Sequence, residues 1–174
     1  MDVAFTLDNR IDGLLEAFLL LLPAMVANST PVVFKGRRPI DMGVTFIDGR
    51  RLLGDGKTIE GFIAGLAAGT LVGLFIYLLL DTTLSLLHFS LIAAGALIGD
   101  IIGSFIKRRL GIERGRPAPV LDQLDFYLGS VAVTILMGIE WNNTVLLVMA
   151  VVSAILHVGA NLFAYLTRLK NVPW

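Results

Sequence analysis

Five stretches of this chain are apolar over lengths near those needed to cross a bilayer, and this repetition limits the fold more than any single motif does. A helix rises 1.5 Å per residue, so about 20 apolar residues span the hydrocarbon core. The candidate segments cover about residues 13–33, 60–80, 84–106, 122–139 and 141–168. The expected fold class is an all-α integral membrane protein, a bundle of about five transmembrane helices with two long cytoplasmic loops. Hydrophobic residues make up 56% of the chain, above the roughly 45–50% usual in soluble domains. At 174 residues, the chain is expected to form a single transmembrane domain, 1–174. Pro23 predicts a kink in the first segment. The fourth segment is the weakest, because its charge-free part is short. In the second, Gly65, Gly69 and Gly73 recur at four-residue spacing, which lets another backbone approach closely. That stripe suits packing within the bundle or a homodimer.

Charge sets the orientation. The loop at about 34–58 carries Lys35, Arg37, Arg38, Arg50, Arg51 and Lys57. The loop at about 107–122 starts with Lys107, Arg108 and Arg109 and adds Arg114 and Arg116. Arg168 and Lys170 lie in the C-terminal tail. Five crossings put all of these on one side, 13 of the 14 basic residues. Four crossings would place the tail pair opposite the second loop, so charge supports the weak fourth helix. The positive-inside rule then predicts a multi-pass cell-membrane protein with its N-terminus outside and its C-terminus cytoplasmic. The N-terminal stretch carries Asp2, Asp8, Arg10, Asp12 and Glu16, unlike the basic start of a signal peptide.

Several chemistries drop out early. With no cysteine, disulfides, thiolate metal sites and a cysteine nucleophile are excluded. His88 and His157 lie in apolar runs too far apart for a zinc motif and read as packing or interfacial residues. A formal net charge of zero gives no sign of a nucleic-acid partner.

The cytoplasmic segments interleave acids with the bases: Asp41, Asp48, Asp55, Asp100, Glu113, Asp122 and Asp125. Orientation alone requires no aspartates. Lys and Arg bind phosphate oxygens by charge-assisted hydrogen bonds. Aspartates beside them commonly hold Mg²⁺ together with substrate phosphates. Asp100 lies inside a membrane segment, in IGDIIGSFIKRR, where a carboxylate is costly and signals function. Gly99 and Gly103 leave room around it, and Ser104 shares its helical face. Its structural alternative is an ion pair with Lys107 or Arg108. Asp122 and Asp125, in DQLD, share one helical face at i, i+3 and read as metal ligands. The alternative there is capping of a helix N-terminus. GDGKTIEG, residues 54–61, enters the second helix with Lys57 and Thr58. It lacks the Walker A spacing, although a helix N-terminus still favours anions. Asn28, in Asn28-Ser29-Thr30-Pro31, serves either a base or ribose, or the backbone that Pro31 frees.

GDIIGSFIKRRLGIERGRPAPVLDQLDF, residues 99–126, resembles the signature of the membrane CTP:phosphatidate cytidylyltransferases: a Ser, then Lys-Arg, a polar stretch and Asp-x-x-Asp. Here these are Ser104, Lys107-Arg108, and Asp122 with Asp125. The bacterial and eukaryotic His-Gly-Gly is replaced by Pro117-Ala118-Pro119-Val120-Leu121, and Gln123 stands where that form has Arg. The short length, the N-x-x-P end of the first helix, KGRRPIDMG, DGRRLLGDGKTIEG and IGDxxGSFIKRRLG are similar, over nearly the whole chain, to the archaeal branch, the CDP-archaeol synthases. The resemblance implies that CTP and a prenylated, ether-linked glycerol phosphate lipid give CDP-archaeol and pyrophosphate, with Mg²⁺. On that basis Asp100, Asp122 and Asp125 hold one or two Mg²⁺. Lys107 and Arg108 join Asp122 and Asp125 as the catalytic group. Lys57, Thr58, Arg38, Arg50 and Arg51 bind substrate phosphates, Ser104 touches ligand, and Asn28 is a candidate for the base. Two rivals are weaker. A CDP-alcohol phosphotransferase requires an Asp-Gly-x-x-Ala-Arg pattern that is not found here. A small transporter or channel for an anionic solute predicts charge along a path through the helices, and only Asp100 lies clearly within a span.

Overall fold

The computed structural model describes residues 6–7, 9–34 and 36–173. Asp2, Asp8 and Lys35 lie outside the described residues. Five helices carry the fold: α1 (Leu14–Val33), α2 (Ile59–Leu79), α3 (Leu86–Arg109), α4 (Leu121–Leu136) and α5 (Asn143–Leu166). Four of them, α1, α2, α3 and α5, are long and apolar enough to cross a membrane. The exception is α4, whose 16 residues span about 24 Å, short of a roughly 30 Å hydrocarbon core. The third helix runs further than expected and takes Lys107, Arg108 and Arg109 into its last turn, where cations complement the helix dipole.

Backbone close approach organises the bundle. A Cβ at Gly65 would sit 2.6 Å from the carbonyl oxygen of Ala27, and one at Gly69 would sit 2.6 Å from that of Pro23. A Cβ at Gly73 would run into Phe89. The glycine stripe of α2 is thus spent against α1 and α3 of the same chain. Ala27 offers its carbonyl there because Pro31, four residues on, has no N–H to give it. Nearby, the hydroxyls of Ser29 and Thr30 donate to the carbonyls of Met25 and Val26.

Two parallel strand pairs close one end of the bundle. β1 (Thr6–Leu7) pairs with β3 (Asp81–Thr82), and β2 (Arg10–Ile11) pairs with β4 (Glu140–Trp141). Leu7 and Ile11 are fully buried there in the main apolar core with Leu20, Phe89 and Tyr127. The N-terminal segment therefore plugs the end that carries both short connections. The long segments 36–58 and 110–120 and the C-terminal tail meet at the opposite end. Between the ends, Leu71, Phe75, Ile102, Leu147 and Ile155 are among many large apolar side chains that face outward, as a bilayer-embedded surface requires.

Candidate active site

The loop end of the bundle holds an open-mouthed cavity of about 540 Å³ between α1, α3, α4, α5 and both long loops. Of the residues expected to act, Asn28, Lys57, Asp100, Ser104, Lys107, Arg108, Asp122 and Asp125 line it.

Two ion pairs cross the cavity. The Lys57 ammonium, just before α2, meets the Asp100 carboxylate on α3. Lys107 of α3 donates to Asp122 of α4 at 2.5 Å. Asp100 is thus paired, but with neither Lys107 nor Arg108. Its own helix carries Lys107 toward α4, while the turn before α2 delivers Lys57. All four side chains are a quarter exposed or less. The other Asp122 oxygen accepts from the Ala118 amide at 2.8 Å, so this acid ties down the second loop as well as lining the cavity. Asp125 is 7% exposed and lies against Gly103, where a Cβ would stand 2.9 Å from the Cβ of Asp125. Its carboxylate accepts from the Phe126 amide at 2.7 Å.

Arg108 differs from these lysines. Its Nε is buried with no hydrogen-bond partner, and no carboxylate pairs with it among the described residues. A guanidinium held this way at a cavity wall is suited to an anion brought by a ligand.

Four expected site residues are not brought to the cavity, because loop acceptors take their donors first. Arg38 bonds Glu60 at 2.8 Å, and the amides of Arg37 and Arg38 bond the same acid. Arg50 donates to the carbonyls of Arg109 at 2.7 Å and Arg108 at 3.4 Å, closing the C-terminus of α3. Arg51 pairs with Asp41 at 2.7 Å and Asp55 at 2.9 Å. Thr58 is the N-cap of α2 and accepts from Gly61. Asp41 anchors the first loop. Burial opposes its ionisation, but the Arg51 guanidinium and the amides of Gly54, Leu53 and Gly43 outweigh that and hold its carboxyl well below the usual range.

The carboxylates suit a hard cation. Mg²⁺ prefers oxygen ligands and takes one or two carboxylates plus phosphate oxygens. Asp122 and Asp125 on one face of α4, with Asp100 opposite, supply that donor set. Among the described residues, no three metal-ligating side chains converge as a ready-made cage, so phosphate oxygens would complete the shell.

A family model described as "CarS-like: CDP-archaeol synthase" matches residues 10–174. The chain belongs to this family. It is 58% identical to the CDP-archaeol synthase of Aeropyrum pernix over the full length of both. It is 47% identical to the CDP-archaeol synthase of Methanopyrus kandleri, covering 88% of this chain and 90% of that one. A solved structure described as "Structural insight into an intramembrane enzyme for archaeal membrane lipids biosynthesis" superimposes with a TM-score of 0.83 at 57% identity. That match covers 90% of this chain and 99% of the other. This member of the CDP-archaeol synthase family is accordingly a multi-pass, all-α membrane protein.

In this CDP-archaeol synthase family member, α5 and the tail also contribute side chains that sequence reasoning passed over. His157, read as a packing residue, lines the cavity and stacks on Phe126 with ring centres 5.7 Å apart. Asn161 lines it too and accepts from Lys170 at 2.8 Å. The tail reaches back because the amides of Leu169 and Lys170 both bond the Ala164 carbonyl. Arg114 and Arg116 complete the basic wall. A signal for α5 was present: Ser153, His157 and Asn161 recur at four-residue spacing in an otherwise apolar helix, which marks an inward face.

Proposed function

We infer that the chain transfers the cytidylyl group of CTP to a prenylated, ether-linked glycerol phosphate, giving CDP-archaeol and pyrophosphate. The observation that carries this reading is one cavity in which Lys57, Lys107, Arg108 and Arg114 face Asp100, Asp122 and Asp125 beside the apolar Val32, Val33 and Phe163. A triphosphate and a lipid phosphate need such a meeting of charge and apolar wall at a membrane boundary. The chain acts as one transmembrane domain, with the cavity, long loops and tail on the cytoplasmic side and the N-terminus outside. The distribution of basic residues supports that orientation.

An oxygen of the lipid phosphate attacks the α-phosphorus of CTP. The new P–O bond forms as the bond from that phosphorus to the α,β-bridging oxygen breaks, and pyrophosphate leaves with the electron pair. The attacking phosphate is largely dianionic near neutral pH, its second pKa being about 6, so no general base is required. Catalysis is then positioning and charge neutralisation. Arg108 offers its guanidinium to phosphate oxygens. Lys57 and Lys107 exchange their carboxylates for phosphate oxygens, which frees Asp100 and Asp122. Asp100, Asp122 and Asp125 would hold Mg²⁺, whose positive charge would offset the negative charge of the CTP phosphates and the leaving pyrophosphate. Arg38, Arg50, Arg51 and Thr58 act by holding the loop that presents Lys57.

The test is incubation of detergent-purified protein with Mg²⁺, radiolabelled CTP and a prenylated glycerol phosphate, counting label in the organic phase. Label that requires both metal and lipid phosphate is expected. Its absence with folded protein overturns the reading.

A further inference from the structure

The hairpin over residues 39–52 is built around the pairing of Thr45 with Arg51 and bonds from Phe46 to Arg50 and from Leu52 to Val44. Its apolar side chains are turned out: Ile47 is 94% exposed, Met42 64% and Val44 55%. A cytoplasmic loop in water has no use for such a tip.

Two helices place this hairpin at the boundary of the hydrocarbon core. Phe105 lies 19 residues along α3 from Leu86, about 28 Å, close to the roughly 30 Å core thickness. Phe46 packs edge-on against Phe105, ring centres 5.6 Å apart. Independently, the hairpin base is bonded to the first residue of α2: Ile59 donates to the Arg38 carbonyl at 3.0 Å, and Pro39 pairs with Thr58. The tip also lies beside the helix rather than beyond it. Arg109 covers both rings, 4.7 Å from Phe46 and 5.1 Å from Phe105, and bonds Asp48 at 2.6 Å. Ile47 sits between two residues that point at α3 and so projects away from the protein. On α3, Ile98, Ile102 and Ile106 are exposed next to this contact. The hairpin therefore extends a surface that the bilayer already covers, and its arginines stand at the depth of lipid phosphates.

We propose that the 39–52 hairpin is an interfacial anchor, with Ile47, Val44 and Met42 seated in the headgroup–acyl boundary of the cytoplasmic leaflet. Its partner is the lipid surface. The anchor fixes the cavity mouth at headgroup depth, and it stands whether or not the proposed transfer reaction does.

The chain has no cysteine of its own, so single variants can be spin-labelled at one site. Ile47→Cys and Val44→Cys would be labelled in nanodiscs of mixed zwitterionic and anionic lipid. Ile155→Cys, on the exposed face of α5, supplies the lipid reference, and Glu113→Cys, on the second loop, supplies the water reference. Collision of the label with oxygen and with a water-soluble nickel chelate is read by electron paramagnetic resonance. Nickel accessibility several-fold lower at 47 and 44 than at 113, with oxygen accessibility approaching that at 155, is the expected result. Nickel accessibility equal to that at 113 overturns the proposal. So does dipolar broadening between labels on two chains, which would seat the hairpin on a second copy instead.

Discussion

Lys57 and Asp100 form an ion pair across 43 residues of sequence, joining the turn that starts α2 to the half of α3 nearer the long loops. Removing one partner leaves the other charge partly buried. Lys57→Ala is expected to lower stability by about 1–3 kcal/mol, below the 3–5 usual for fully buried pairs because both groups keep some solvent contact. It should also raise KM for CTP. In the double variant Lys57→Met with Asp100→Asn, the stability returns but the activity does not. Thermal unfolding in detergent and steady-state kinetics separate these effects. Full activity of the double variant would reduce the pair to a structural role.

Asp122→Asn and Asp125→Asn keep the shape of the side chain and remove the charge. If these carboxylates hold Mg²⁺, each lowers kcat by about a hundredfold or more, several kcal/mol of transition-state stabilisation. The Mg²⁺ concentration needed for half-maximal CTP binding rises in parallel. Binding by isothermal calorimetry at several Mg²⁺ concentrations tests this, and an unchanged metal dependence in both variants would remove the assignment.

Gly103 and Gly159 give a matched pair of tests. An added methyl at Gly103 runs into the Asp125 carboxylate and stands 2.9 Å from its Cβ, so Gly103→Ala forces α3 and α4 apart at the cavity. A loss of about 1–3 kcal/mol and most activity is expected. A Cβ at Gly159 meets nothing within 4 Å, so Gly159→Ala is expected to be neutral or stabilising by up to about 1 kcal/mol. Unfolding midpoints and turnover measured on both variants give the comparison.

Acid sensitivity should trace in part to Asp41. Its folded carboxyl titrates below the ordinary value because Arg51 and three amides bond the charged form. The stability it contributes is complete above the unfolded pKa of about 3.9 and fades as pH falls through that value toward the folded one. Asp41→Asn lowers stability at neutral pH and flattens the loss below about pH 4. Melting temperatures from pH 7 to pH 3 test this, and parallel profiles for the two proteins would contradict it.

Hydropathy and charge made much of the architecture legible. Bilayer thickness imposes a minimum length on a span, so the four longest apolar runs reveal α1, α2, α3 and α5 by length alone. Positive charge collects on one side for reasons of insertion rather than fold, and it argued for a fourth helix, which the structure has as α4, although its 16 residues are too few to qualify as a span by length. Asp100, Asp122 and Asp125 were legible for a related reason: carboxylates in or beside apolar helices are expensive, and their spacing shows which share a face. The outer strand pairs were not. Thr6–Leu7 and Arg10–Ile11 are two residues each, too short for any periodicity, and they exist only because the bundle brings Asp81–Thr82 and Glu140–Trp141 within reach.

The sequence by itself determined the class of fold, the sidedness of charge and the acids that line the cavity, because these follow from local patterns of hydropathy and helical spacing. Only the tertiary structure decided how each cation is used. Arg38, Arg50 and Arg51 look as available as Lys57 in sequence, yet Glu60, the α3 carbonyls and Asp41 take their donors. Lys170 and Asn161 enter the cavity because the tail folds back on α5. A guanidinium bonds whichever acceptor packing places within about 3 Å, and those distances are set by residues far away in the chain.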